Sequence, residues 1–527
     1  MKSQGNELIS THPAQKQLKF TTTKATYDFS KYEIKAEGVR FIEIADAAIF
    51  PENGIVQIYR RAEIAKLNNS KILANTDNQF HEIYKTNIML ESSESYRGDG
   101  YYSYVDADSN AQEIYLDSVW VTRGQNKFTR GQGKVGQDAN FTLNPHFGYS
   151  GTVTLKAEDE YLSMRGAVSL LYSCDTNVYA PVRFVGSVNP DSVLIPIGEH
   201  TRDTNNRPVV AAIASNSSGQ IYPAFARAKD QINNPEYISA LGYLTYSDEL
   251  DMYIVTSKEK IEDLSLPGNI IYMDSKNCIA KGEGKLNLGT NFGRMEFVPM
   301  GSITDYISED SAVIDVSASL DFFFNENCMK LMSDYMESSQ NLEPLDIIES
   351  NSYKTALLEI LGDKEYDRLY PELTQYYHFK KLPKALQVSF MFVDVKMNWS
   401  SENKAFVSIG DLGVAICGHK EVNKVIPGLL EIQKKSTNKS TNNKTNLQLY
   451  FEFDEQWFYF YYTGTTMRAL SSSKEFNEYI KNTPQKKKIL SADSKKGLAP
   501  YSYNIASLSQ KKKFFTKYEY NLEDSNN

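Results

Sequence analysis

The sequence predicts a mainly β fold: a stacked or extended antiparallel β-sheet of β-solenoid or jellyroll-like kind, followed by a helical segment and a smaller α+β domain. Three observations predict it. Apolar and polar residues alternate with period two through the first three-fifths of the chain, and Gly, Asn, Asp or Pro separates the alternating runs. The aromatic share of 12%, carried by 35 Tyr and 26 Phe, uses residue types that favour strands. A sustained helical period begins only near Asn325.

The elements follow in order. Residues 1–22 are polar and are expected to be disordered; they lack the apolar middle region of a secretory signal, so the chain is expected to be cytosolic or the later part of a longer, signal-bearing precursor. An extended β-rich domain is expected over 23–324. Between Ala45 and Leu90 a small-x-Ile pattern recurs at Ile49, Ile64, Ile72 and Ile88, at separations near multiples of about eight residues. Stacked short strands and an ordinary meander both account for it. Pro51-Glu52-Asn53-Gly54 supplies a reversal in either case. Leu162, Met164, Gly166, Val168, Leu170, Tyr172 and Cys174 lie on one face of a strand, with Ser163, Arg165, Ser169 and Ser173 on the other. Ala312 to Phe324 repeats the pattern against Asp315, Ser317, Ser319 and Asp321, so a one-residue slip would bury aspartates.

From 325 to 387 the period changes. Cys328, Leu331, Met332 and Tyr335, then Tyr353, Ala356, Leu357, Ile360 and Leu361, recur at helical spacing. An α+β domain is expected over 388–485, with strands at Val388–Trp399, Ala405–Cys417, Leu447–Phe453 and Trp457–Tyr462. Ser473 is the expected N-cap of a short helix that turns Phe476 inward. The Lys, Ser, Thr and Asn residues of 434–444 predict a flexible loop. Residues 486–527 read as a basic, partly disordered tail.

A chain of 527 residues is long enough for about three domains of ordinary size. Its net charge of −9 gives no broad attraction to phosphate backbones, which excludes nucleic acid as the main partner. No apolar run is long enough for a transmembrane helix. Cys174, Cys278, Cys328 and Cys417 lie far apart, show no metal-ligand spacing and read as four buried small residues.

The motifs in the sequence predict no catalytic residues, no cofactor and no metal site. Asp106, Asp108 and Asn110 open like a calcium loop, but Ala111 stands where the sharp turn needs Gly, so a hairpin turn is expected. Cys417-Gly418-His419 offers two soft ligands without a second pair. His12, His81, His146, His200 and His378 are isolated. Gly282-Glu283-Gly284-Lys285, with Gly289 and Gly293, lacks the ending of a phosphate loop and reads as glycines relieving crowding. Tyr149-Ser150-Gly151 fails the nucleophile elbow because Thr152 follows. The run Trp457 to Tyr462 implies a strand covered on both faces. Trp457, Tyr459 and Tyr461 on one of those faces are candidate rings for binding sugar or lipid.

Four stretches carry a resemblance: Ile42 to Val56, His81 to Asp106, Val193 to Ile197 and Gly282 to Gly293. On these, the segment from about Thr23 to Asn291 resembles long, uncharacterised cell-envelope proteins of Gram-negative bacteria. Its strand–turn rhythm looks like the lipopolysaccharide-transport OstA type, in which stacked strands form an open groove for acyl chains. The resemblance implies a periplasmic or outer-membrane-associated location and supplies no catalytic residues.

The expected function is that of a non-enzymatic envelope protein whose β surface binds or bridges a lipid, a lipidated glycan or a protein partner. Inward Ile, Val, Leu and Tyr would hold acyl chains at about 0.8 kcal/mol per buried methylene. The alternatives are an assembly component that pairs through sheet edges and a carbohydrate-active enzyme on a β scaffold.

Overall fold

Strand after strand pairs with its sequence neighbour, because short turns built on Asn, Asp and Gly allow antiparallel return without a crossover. The computed structural model describes residues 2–4, 6–172, 174, 179–288, 292–309, 311–400, 402–433, 446–495 and 497–518. The fold is mainly β, with large antiparallel sheets. The chain divides into two compact units. One comprises Met1–Ser173, Asn177–Pro196 and His200–Arg207; the other comprises Cys174–Thr176, Ile197–Glu199 and Pro208–Asn527.

The main sheet of the first unit runs in order from Ile42–Ile44 and Ala47–Phe50 through Leu67–Ala74, His81–Ser92, Ser95–Val105 and Ala111–Val121. It continues through Thr129–Val135, Phe147–Lys156 and Ser163–Leu170 to Val182–Ser187. The small-x-Ile pattern therefore belongs to a meander of unequal strands. Asp106 closes one hairpin, its Oδ1 accepting from the backbone N–H of Asp108 at 3.0 Å and of Asn110 at 2.8 Å.

This sheet rolls on itself. Asp46, beside Ala47–Phe50, accepts from Thr129 N at 3.0 and 2.9 Å. Thr129 opens a strand that lies five places away in the sheet, a distance of about 24 Å if the sheet were flat. The inward side chains fill the space so enclosed: Ile83, Ile88, Leu116, Phe147, Val153 and Leu155 are each 0% exposed. The inner face expected to line an acyl groove thus packs against itself.

Residues 7–21, expected to be disordered, form the strands Glu7–Ile9 and Lys19–Thr21. Leu8, Leu18 and Phe20 are buried, and pairing between segments supplies an apolar contact that local composition does not show. A second small sheet joins Lys24–Asp28, Glu33–Glu37 and Val56–Ile58.

In the second unit, Gly242–Ser247, Met252–Thr256, Ile270–Asp274, Ile279–Lys285, Glu296–Tyr306 and Ser311–Asp321 meander in turn. A short helix α1 (Lys258–Glu262) interrupts them, and the helices α2 (Glu326–Ser338), α3 (Asn351–Leu361) and α4 (Asp363–Tyr376) follow. Asn325 caps α2 by accepting from Cys328 N at 3.2 Å, and Ser350 caps α3 by accepting from Tyr353 N at 3.1 Å. The helical segment is an excursion between neighbours in one sheet, because Phe390–Ser400 pairs directly with Ser311–Asp321. Tyr353, Ala356 and Leu357 of α3 and Leu373 of α4 pack on Met300, Met391 and Val393 of that sheet.

The sheet then curls as a half-barrel. Phe390–Ser400 pairs with Ala405–Ile409 along its later half and with Leu412–Cys417 along its earlier half. Lys420–Ile426, Gly428–Gln433, Asn446–Phe453, Gln456–Thr463 and Thr466–Ser471 continue it. An aromatic core fills the curl, with the Phe390 and Phe451 rings 5.5 Å apart and Phe324 and Phe460 5.7 Å apart. Helix α5 (Lys474–Asn482) starts at Ser473 as expected and adds Phe476, 0% exposed. The strand Tyr501–Ile505 then lies parallel to Thr466–Ser471, and helix α6 (Leu508–Tyr518) follows within the expected tail. On the other part of the sheet, a Cβ on Gly282 would lie 2.5 Å from Ile238 Cγ2, so the three-stranded sheet that contains Ile238 sits too close for any side chain there.

One correction concerns the cysteines. Cys328 and Cys417 are buried free thiols, burial pushing the Cys328 thiol up to about 12. Cys174 and Cys278 instead form a disulfide with Cα atoms 5.3 Å apart. Their separation of 104 residues hides a pairing that only the fold creates. The expected loop at 434–444 and Gly289 lie outside the described residues.

Candidate functional site

The outer face of the first unit's sheet carries a row of three tyrosines on adjacent strands. Tyr84 pairs with Tyr101 and Tyr101 with Tyr115. Their ring centroids are 6.4 and 5.1 Å apart, with interplanar angles of 37° and 47° that turn the row along the sheet's twist. Alternation puts them outside: Ile83, Ile114 and Leu116, the residues beside them, are buried inward. Tyr115 is 46% exposed, and Tyr84 and Tyr101 are half-buried.

Local backbone chemistry shapes the row. A bulge follows Tyr84, where Lys85 takes φ +49°. The bulge brings the Lys85 ammonium 5.4 Å from the centroids of both the Tyr84 and Tyr101 rings. Across the pair, a Cβ on Gly98 would sit 2.2 Å from the Asn87 carbonyl oxygen. Only glycine lets the strands approach there, and the neighbouring Asp99 accepts from Asn87 Nδ2 at 2.9 Å.

Polar groups rim the rings. Glu113 Oε1 accepts from the Tyr84 hydroxyl and from Lys85 Nζ, both at 2.9 Å. These bonds hold the Glu113 carboxyl below its ordinary value. Burial, then the bond to Glu113, pushes the Tyr84 phenol up to about 12, and burial followed by Asp99 raises Tyr115. At neutral pH Tyr84 and Tyr115 therefore present protonated phenols beside the charged Glu113 carboxylate. Such a surface can stack on the C–H faces of sugar rings and exchange hydrogen bonds with their hydroxyls.

The sequence-predicted rings lie elsewhere. Trp457, Tyr459 and Tyr461 share one face of Gln456–Thr463, and α6 covers that face. Tyr459 is 0% exposed, its hydroxyl donating to Gln448 Oε1 at 2.6 Å and its ring 6.0 Å from Phe514. Lys511 Nζ sits 3.7 Å from the Trp457 ring centroid, and Tyr461 packs into the same cluster. Phe458, Phe460 and Tyr462 point the other way into the aromatic core, so both faces of the strand are occupied.

Two further places in the second unit gather polar side chains. A cavity of about 530 Å³ is lined by Gly219, Gln220, Asp305, Ser311, Asn398 and Trp399 among others, and Asp305 is its one carboxylate among the described residues. Ser352 donates to Asp394 Oδ1 at 2.6 Å and bonds Ser317 as well. That chain ties the start of α3 to the sheet and has no imidazole or amine to act as base among its described partners. Among the described residues no group of His, Cys, Asp and Glu could hold a metal ion, and no helix is long and apolar enough to cross a membrane.

Sequence reasoning missed the ladder. Its signal was three tyrosines flanking two short turns, but the bulge after Tyr84 shifts the pairing that would align them. Compared with known proteins, the chain matches no family model, no curated protein and no solved structure.

Proposed function

We propose that this chain is a non-enzymatic glycan-binding protein of the cell envelope, with the Tyr84–Tyr101–Tyr115 row as the platform for a saccharide or the sugar part of a lipidated glycan. The carrying observation is the register of three adjacent outward rings, with hydrogen-bonding groups along their rim. The packed inner face supports an outside site over an acyl groove. The Cys174–Cys278 disulfide supports an oxidising compartment such as the periplasm. Assembly through sheet edges has less support: Arg183 N, on the border strand Val182–Ser187, already donates to Arg202 O at 2.9 Å.

The test is co-sedimentation with purified peptidoglycan sacculi and affinity electrophoresis in gels containing lipopolysaccharide. Wild-type protein binds one of the two. The Tyr101→Ala/Tyr115→Ala double variant loses about tenfold or more in affinity while melting as wild type does. Failure to bind either glycan, or equal binding by the variant, would overturn the reading.

A further inference from the structure

We propose that the hairpin tip between Lys24–Asp28 and Glu33–Glu37 docks the protein onto an anionic phospholipid surface. Phe29 stands at this tip with 81% of its surface in solvent, more than any other large apolar residue among those described. Tyr27, 43% exposed, meets it edge-on at 4.7 Å, and Tyr32 is 49% exposed. Arg60 lies 3.9 Å from the centroid of the Tyr32 ring.

The tip is pre-shaped rather than loose. Asp28 Oδ1 accepts from Ser30 N at 2.8 Å, Ser30 Oγ at 2.6 Å and Lys31 N at 3.3 Å, which closes the turn and thrusts Phe29 outward. Tyr32 is held at φ +57°, a region that non-glycine residues seldom adopt.

Charge selects the occupant. Lys24 and Lys35 are matched by Glu37 at 3.4 and 2.6 Å, whereas Lys31, Arg60 and Arg61 make no ion pair among the described residues. Of the two tip carboxylates, Asp28 and Glu33, the first is engaged in the turn. Asp28 keeps its charge in the turn, so Lys31, Arg60 and Arg61 exceed Asp28 and Glu33 by one positive charge, on a chain whose net charge is −9. A protruding aromatic point ringed by Arg and Lys matches the headgroup region of a bilayer, where rings settle at the interface and cations meet phosphate. A protein partner would need a concave acidic socket for the same tip.

The experiment is vesicle co-sedimentation of the full chain. Wild-type protein is expected to pellet with vesicles of phosphatidylcholine plus phosphatidylglycerol, less with phosphatidylcholine alone, and less as salt is raised. Phe29→Ser should weaken pelleting, and Arg60→Ala and Arg61→Ala should each cost about fivefold. These residues are exposed, so melting temperature should not change. Tyr101→Ala/Tyr115→Ala should pellet as wild type does, which separates this surface from the glycan platform. No pelleting with anionic vesicles, full pelleting by Phe29→Ser, or a wild-type dimer that Phe29→Ser dissolves without any vesicle binding would overturn the proposal.

Discussion

The imidazole of His81 lies 1% exposed inside the first unit, with Nε2 donating to the Asp159 carbonyl at 2.7 Å and Nδ1 3.3 Å from the Tyr102 hydroxyl, from which it accepts. Both ring nitrogens are satisfied in the neutral form, and burial holds the pKa below the ordinary value. The unfolded chain protonates this side chain at about pH 6.5 while the folded one resists. Its contribution to stability is therefore intact above that pH and falls as pH drops toward the folded value. Urea unfolding at pH 5, 6 and 8 should show this loss, and His81→Gln should flatten it; an unchanged slope would remove His81 as the cause. The raised carboxyls of Asp46 and Glu421 act in the opposite sense, so the comparison with the variant isolates the histidine. Gly98 is decided just as locally. With a backbone oxygen 2.2 Å from any added Cβ, Gly98→Ala should cost about 1–3 kcal/mol, read as a lower urea midpoint, and should disturb the Asn87–Asp99 contact beside the tyrosine row.

At the scale of elements, α6 shows how a strand rich in rings is put away. Its Phe514 is 1% exposed over Tyr459, and Lys517 Nζ reaches Glu431 Oε1 at 2.7 Å. Glu431 is itself 1% exposed. Lys517→Ala would strand that carboxylate, so we expect a loss of about 3 kcal/mol, with Glu431→Gln in the same background restoring part of it. A variant as stable as wild type would show that Gln448, 3.3 Å from the other oxygen, satisfies the acid alone. The elements also show what the sequence could reveal. Ser163–Leu170, which stops short of the expected Tyr172 and Cys174, and Ser311–Asp321 were legible because alternation fixes which side is buried. The α5 start was legible because Ser473 and Phe476 obey a local rule. The ladder was not, because it depends on which residues of three strands stand opposite, and bulges move that pairing without marking the alternation. Trp457, Tyr459 and Tyr461 announced rings on one face, but the helix that covers them begins some fifty residues later.

On the scale of the molecule, the one covalent link among the described residues is Cys174–Cys278, which closes 104 residues. Constraining a loop of that length in the unfolded chain is worth about 4–5 kcal/mol in the chain-entropy account. Reductant, or Cys174→Ser with Cys278→Ser, should lower the urea midpoint of the second unit accordingly; equal midpoints with and without reductant would show that the link does not constrain the unfolded chain. The pattern of pairing also bears on how the chain is made. A polypeptide that emerges N-terminus first can match nearly every new strand with the one just completed, which keeps loop closures short and exposed backbone brief. Two borders wait longest: Ser311–Asp321 for Phe390–Ser400, which follows the helices α2, α3 and α4, and Thr466–Ser471 for its parallel neighbour Tyr501–Ile505, which follows α5. During each interval the growing sheet shows a border of unsatisfied amides and carbonyls, and neighbouring nascent chains crowded on one message would meet there first.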